Sequence, residues 1–270
     1  MKQTLMQSYS LLGRTRLDSQ SRHLNCDGCM FSGSTLCRTI LDRPALVGRR
    51  PGTRHFDRGM IIVEQGENPS FFGLLRRGFV RQERLRLNGD RIVLGLARPG
   101  HIVGGLPDLV SGCTSEAATD VEVCAFDLAT TERLMRESPR FRQALLSETS
   151  HDLDRLLDSA WRLNALDSRE RIIAFLVDAT RYMPTEAEPD GSLILQVEVS
   201  RQDWADLTNT AVETVSRTMR YLKEKDIVIS LTSSKFRIRD IDRLAFLAGI
   251  EGCARPLRGQ HGCHTPPRCA

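Results

Sequence analysis

The 270-residue chain is 40% hydrophobic and sets 38 basic against 34 acidic residues, a formal net charge of +4. This length and apolar content allow two domains that each bury a core, and exclude an intrinsically disordered chain. The small positive excess excludes nucleic-acid binding through bulk charge, so any such contact must come from a local basic face.

No stretch is long and apolar enough for a transmembrane helix, and the N-terminus lacks an apolar signal-peptide core, so the chain is expected in the cytoplasm and off the membrane. There the eight cysteines do not suit a disulfide framework, because cytosolic thiols are kept reduced. Metal or redox chemistry explains them better. Residues 1 to 25 are polar and weakly patterned and read as an arm. Cys26-Asp27-Gly28-Cys29, followed after seven residues by Cys37, puts three thiols on a short loop that Gly28 and Gly33 let curl around a shared ligand. A fourth ligand has to come from elsewhere. Spacing leaves an iron–sulfur cluster and a four-cysteine zinc site equally good, with a zinc or thiol–disulfide sensor as the standing alternative to a cluster.

From Arg54 to Asp127 the pattern becomes short apolar runs, Met60–Val63, Phe71–Leu75, Phe79–Arg86, Ile92–Leu96 and Val121–Phe126, with glycines at 59, 66, 78, 89, 100 and 104 between or beside them. That is the signature of a compact antiparallel roll. Two cysteines here compete to complete the set. Cys113 falls in a loop and is the more accessible; Cys124 falls in the strand Asp-Val-Glu-Val-Cys-Ala-Phe, where a cysteine also serves as small core filler.

Thr130–Met135 reads as a short helix and Pro139 opens a long one. Its apolar positions Leu145, Leu146, Leu153, Leu156, Leu157, Ala160 and Leu163 make a stripe wide enough to face both the roll and a second copy of the helix. Asp152, Asp154 and Asp158 flank the stripe and would oppose one another across a symmetric seam. Ser168 opens a further helix through Tyr182, ended by Pro184; Leu193–Val197 is a strand. Then come two short helices, the first capped by Ser200 and presenting Trp204, Ala205 and Leu207, the second from Val212 to Lys225 with Val215, Met219 and Leu222 on one stripe. Asn209 supplies the left-handed turn between them. A hairpin of Ile227–Leu231 and Phe236–Ile238 and a helix Asp240–Leu247 close a winged helix-turn-helix. The tail from Gly249 reads as disordered; its Cys253, Cys263, Cys269, His261 and His264 lack a fixed metal-site spacing.

The face opposite Val215, Met219 and Leu222 suits base edges. Arg217 can fork onto guanine, Glu213 can accept from a cytosine amino group, and Val212 and Ser216 suit thymine, while Ser200, Arg201, Arg220 and Lys223 are placed for phosphates.

The run SRQDWADLTNTAVETVSRTMRYLKEKDIV closely resembles the DNA-binding signature of the CRP/FNR transcription regulators, and its Val-Glu-Thr-Val-Ser-Arg segment typifies the FNR-like, oxygen-sensing branch. The resemblance implies an α+β fold: a jelly-roll domain like those that bind cyclic nucleotides, a long dimerisation helix and a winged helix-turn-helix. In numbers, residues 1–45 form the arm with its cysteine loop, 46–135 the sensor roll, 136–164 the dimerisation helix, 165–249 the DNA-binding domain and 250–270 the tail. It also implies a [4Fe-4S] cluster on Cys26, Cys29, Cys37 and Cys124, with Cys113 the runner-up, a homodimer on TTGAT-type palindromes, and contact with RNA polymerase. Two departures stand out. Ser115-Glu116 stands where cyclic-nucleotide binders carry Arg-Ser, and a carboxylate there repels phosphate, so no cyclic nucleotide is expected. Ala211 stands where the family has a Thr or Ser cap, at a cost of about 1 kcal/mol at the recognition helix. A metal-dependent jelly-roll enzyme is the other functional class, and it lacks its signature: His55 and His101 do not form a His-x-x-x-His pair, and no phosphate loop or nucleophile elbow occurs, so the chain is not expected to be an enzyme.

Overall fold

The computed structural model describes residue 26 and residues 29–47, 51–86 and 91–250. They fall into two compact units, residues 1–150 and residues 151–270.

The first unit begins with two short helices, α1 (Thr35–Leu41) and α2 (Pro44–Val47). Helix α1 forms where a loop was expected. The Ser34 side chain caps it by accepting from the Cys37 amide at 3.3 Å, and Leu36 and Ile40, one turn apart, are fully buried. Eight strands follow: β1 (Gly52–Phe56), β2 (Ile61–Val63), β3 (Phe72–Arg77), β4 (Val80–Leu85), β5 (Arg91–Ala97), β6 (Ile102–Gly104), β7 (Thr114–Ala117) and β8 (Val121–Phe126). They form two four-stranded antiparallel sheets, ordered β1-β8-β3-β6 and β2-β7-β4-β5. Strands β1, β6 and β7 have no apolar run to announce them. They are defined by pairing, as in Thr53 opposite Cys124 and Glu116 opposite Arg81.

Alternation along β3 and β8 splits their side chains between two cores. Leu75, Val121, Val123 and Ala125 point into the roll with Phe56, Phe71 and Val80. Phe72, Leu74 and Phe126 point outward, to a second core shared with Leu36 and Ile40 of α1 and with Leu134 of α3 (Leu128–Glu137). Phe141, Ala144 and Leu145 complete that core from the root of α4 (Pro139–Ala165).

Beyond its root, α4 leaves Leu146, Leu153, Leu156, Leu157, Trp161 and Leu163 between 44% and 70% exposed. The expected division of the stripe is therefore visible, Leu145 in the core and the rest uncovered. Of the flanking aspartates, Asp152 pairs with Arg155 and Asp158 with Arg162 at 2.8 Å on the same helix.

The second unit continues with α5 (Ser168–Ala179), β9 (Thr185–Ala187), β10 (Leu193–Gln196), α6 (Arg201–Leu207), α7 (Val212–Glu224), β11 (Val228–Ser230), β12 (Lys235–Ile238) and α8 (Ile241–Leu247). The cap of α5 is Asp167 rather than Ser168: its carboxylate accepts from the Arg169 and Glu170 amides at 2.7 and 2.8 Å, and Glu170 returns the bond in a capping box. The unpredicted β9 pairs with β10 and widens the wing sheet to β11-β12-β10-β9. Its core stacks Phe175, Trp204 and Phe236, with centroid separations of 5.0 and 6.2 Å.

Candidate cofactor pocket and nucleic-acid interface

Four of the five described cysteines meet at one place. Cys26 and Cys29 lie on a turn in which the Cys29 amide donates to the Cys26 carbonyl at 3.1 Å, Cys37 lies on α1, and Cys124 lies on the outer face of β8. Together they line one pocket, partly open to solvent, whose apolar walls include Phe31, Ile40, Leu74 and Phe126. The turn is seated by Phe31, whose ring lies over Gly100. A Cβ there would meet that ring at 3.1 Å, and Gly100 adopts φ +96°, so this contact requires glycine.

Burial pushes the Cys124 thiol up to about 12, with Cys37, Cys26 and Cys29 adding to the rise and Arg76 opposing it. Cys37 is raised for the same first reason and is opposed by its hydrogen bond with Ser34 and by Arg76. Cys37 and Cys124 thus feel the neighbouring thiols, and a ligand that binds them has to displace protons that burial holds in place. Cys113 is elsewhere. It sits in the loop before β7, its carbonyl accepting from the Ser111 hydroxyl at 2.6 Å and its thiol close to Arg84. Among the described residues no three Cys, His, Asp or Glu side chains stand close enough to share one metal ion. The tail cysteines and histidines, 253 to 269, lie outside the described residues.

In the second unit α6 and α7 are joined through Asn209 at φ +48°, the left-handed turn its sequence suggests. Ser200 caps α6 in a capping box with Asp203, accepting from that amide at 3.0 Å. The Arg201 guanidinium sits 4.9 and 5.0 Å from the ring centroids of Trp204 and Phe236 and donates to the Ser233 carbonyl of the wing turn at 3.4 Å. Its Nη1 has no hydrogen-bond acceptor. Helix α7 buries Val215, Thr218, Met219 and Leu222 and exposes Glu213, Ser216, Arg217, Arg220 and Lys223, with Val212 half-buried. The Ser216 hydroxyl donates back to the Val212 carbonyl at 3.1 Å. Ala211 leaves the helix start without a side-chain cap.

Sequence reasoning missed Arg171. Its guanidinium donates to Thr208 and Leu166 carbonyls, both at 2.8 Å, and to Asn209 at 3.3 Å, pinning the helix-turn-helix turn to the end of α4. An arginine in the first turn of an amphipathic helix carries no signal for such a role.

Residues 170–247 match the family profile of the Crp-like helix-turn-helix domain, and residues 53–138 that of the cyclic nucleotide-binding domain. Together they span more than half of the chain. The CRP/FNR family is where this chain belongs. Similar CRP/FNR relatives include the transcriptional activator protein FnrL of Cereibacter sphaeroides, 28% identical over 228 residues, 83% of this chain and 92% of the relative. The nitrogen fixation regulation protein FixK of Bradyrhizobium diazoefficiens is 28% identical over 230 residues, 83% and 93% of the two chains. Among solved CRP/FNR folds, FixK2 from Bradyrhizobium japonicum superposes with a TM-score of 0.67 at 21% identity, covering 73% of this chain and 96% of that one. The chain is therefore a CRP/FNR-type DNA-binding transcription regulator, of a family that binds DNA as homodimers, and α6 and α7 lie within its helix-turn-helix domain. No helix among the described residues is long and apolar enough to cross a membrane.

Strand β7, which carries Ser115-Glu116, is tied to β4 by ion pairs as well as by its ladder. Glu116 on β7 holds Arg81 at 2.7 Å, and Arg81 also donates to Glu83 at 3.0 Å. Two carboxylates thus occupy the guanidinium.

Proposed function

We propose that this regulator is a cytoplasmic, FNR-type oxygen or redox sensor that holds a [4Fe-4S] cluster on Cys26, Cys29, Cys37 and Cys124. In this reading it dimerises through α4, reads TTGAT-type palindromes through Val212, Glu213, Ser216 and Arg217, contacts RNA polymerase, and takes no cyclic nucleotide. The observation that carries the reading is the meeting of those four thiols in one apolar pocket, the donor set that cubane clusters use. A single zinc, with Zn–S bonds of about 2.3 Å, draws its four sulfurs onto a point. Zinc on the same four cysteines is the rival reading.

When bound, the cluster supplies an oxygen-labile cross-link between the N-terminal segment and β8. The chain's own residues give that link consequences. Cys37 rides on α1, whose Leu36 and Ile40 share one core with Phe126 of β8 and with Phe141, Ala144 and Leu145 of α4. A tie between α1 and β8 therefore tightens the packing around the root of the helix whose uncovered stripe is the dimer seam. A firm dimer holds two recognition helices about 34 Å apart, one helical turn of DNA.

Gel retardation tests the reading. Anaerobic protein should retard a duplex carrying a TTGAT palindrome, and the same sample after air exposure should not. Retardation that is identical before and after air would end the oxygen-sensor reading while leaving the DNA-binding regulator intact.

A further inference from the structure

Among the described residues that line the thiol pocket, Arg76 alone is charged. It stands on β3 two residues from Leu74, where the β3–β8 register shifts, and both side chains line the pocket. Its Nη1 lies 2.6 Å from Oε1 of Glu122, which stands on β8 two residues from Cys124 and leaves that strand on the thiol's side. The two side chains are about equally exposed, at 25% and 26%. A guanidinium on the wall of an otherwise apolar cavity is costly to desolvate, and a partner already satisfies one side of it. Arg76 lines the pocket together with Cys26, Cys29, Cys37 and Cys124.

We propose that Arg76 and Glu122 form a charge pair that sets the electrostatic potential of the thiol pocket, Arg76 as counter-charge to whatever anionic assembly the four cysteines hold and Glu122 as the attenuator of that charge. The inference rests on the cluster reading and adds the residues that tune it. Four thiolates around a [4Fe-4S] core leave a net negative charge, and the potentials of such clusters follow net charge, hydrogen bonds to sulfur and solvent exposure. A cation on the wall favours the more negative, reduced form and resists loss of electrons to oxygen. A carboxylate bound to that cation does the opposite.

The two residues therefore push in opposite directions although they share one bridge, and this separates tuning from scaffolding. The experiment compares wild type with Arg76→Gln, Arg76→Lys and Glu122→Gln, all purified without air. The readouts are iron and sulfide content, the midpoint potential of the cluster's one-electron couple titrated with dithionite as electron donor, and the half-life of the visible absorbance under air. Arg76→Gln should lower the potential and shorten the half-life by about three- to tenfold, the effect of one unit charge in a half-buried site. Glu122→Gln should raise the potential and lengthen the half-life by a similar factor, and Arg76→Lys, which keeps the charge, should stay within about twofold of wild type. Shifts of the same sign in Arg76→Gln and Glu122→Gln, or no shift in either, overturn the proposal, because a merely structural bridge is broken equally by both. If Arg76→Gln fails to fold, Glu122→Gln and Arg76→Lys decide alone: a half-life in Glu122→Gln no longer than wild type, or one in Arg76→Lys shortened beyond about threefold, overturns it. Wild-type protein without iron and sulfide defeats the cluster reading itself, a result distinct from all of these.

Discussion

Loop position favours Cys113 as the fourth ligand, whereas the family resemblance favours Cys124. A loop cysteine is the accessible one from sequence, yet Cys113 lies beside Arg84 while Cys124 shares a pocket with the N-terminal trio. Replacing Cys124 with Ser should abolish retention of iron and sulfide, and Cys113→Ser should leave both at the wild-type level; acid-labile sulfide and iron assays on anaerobic protein check this. Base reading is a second matter of single residues. Arg217→Ala should lose about 1–3 kcal/mol of discrimination at one guanine, whereas Lys223→Ala should weaken all sequences alike and flatten the salt dependence by a slope of about 1. Binding-site selection at two salt concentrations separates the two. The pairing of Arg76 with Glu122 was invisible in sequence because the residues lie 46 apart and meet only through the β3–β8 register.

Elements were legible in proportion to how much of their stability is local. Helix α7 declares itself through Val215, Met219 and Leu222 at helical spacing, and the turn before it through Asn209, so periodicity and turn chemistry sufficed. Helix α1 did not, because seven residues cannot hold a helix unaided; the burial of Leu36 and Ile40 against strands far along the chain decides it. Strand β7, Thr-Ser-Glu-Ala, was equally silent, since its Ser115 and Glu116 are placed by pairing rather than by an apolar run. The uncapped start of α7 leads to a prediction at this scale. Ala211→Ser should supply the missing acceptor and stabilise the second unit by roughly 1 kcal/mol, read as a raised urea midpoint with unchanged slope. Substitution at Asn209 by a β-branched residue should do the reverse, because φ +48° crowds its side chain.

At the scale of the whole molecule, the two compact units are joined by a helix that roots in the core carrying the thiol pocket and then exposes six large apolar side chains. Such a stripe is a partner surface. Trp161, half exposed on it, was not singled out by the sequence pattern and is a convenient reporter: its fluorescence should shift to the blue when anaerobic protein dimerises and return on aeration. Leu157→Glu should leave a monomer that keeps its cofactor but retards DNA poorly, which sedimentation and gel retardation would check together. All of this depends on what the four thiols hold. The direct measurement is metal and sulfide analysis of wild-type protein purified without oxygen. The expected result is a brown protein with about four iron and four sulfide per chain that bleaches in air. A colourless protein holding one tightly bound zinc and no sulfide would contradict it.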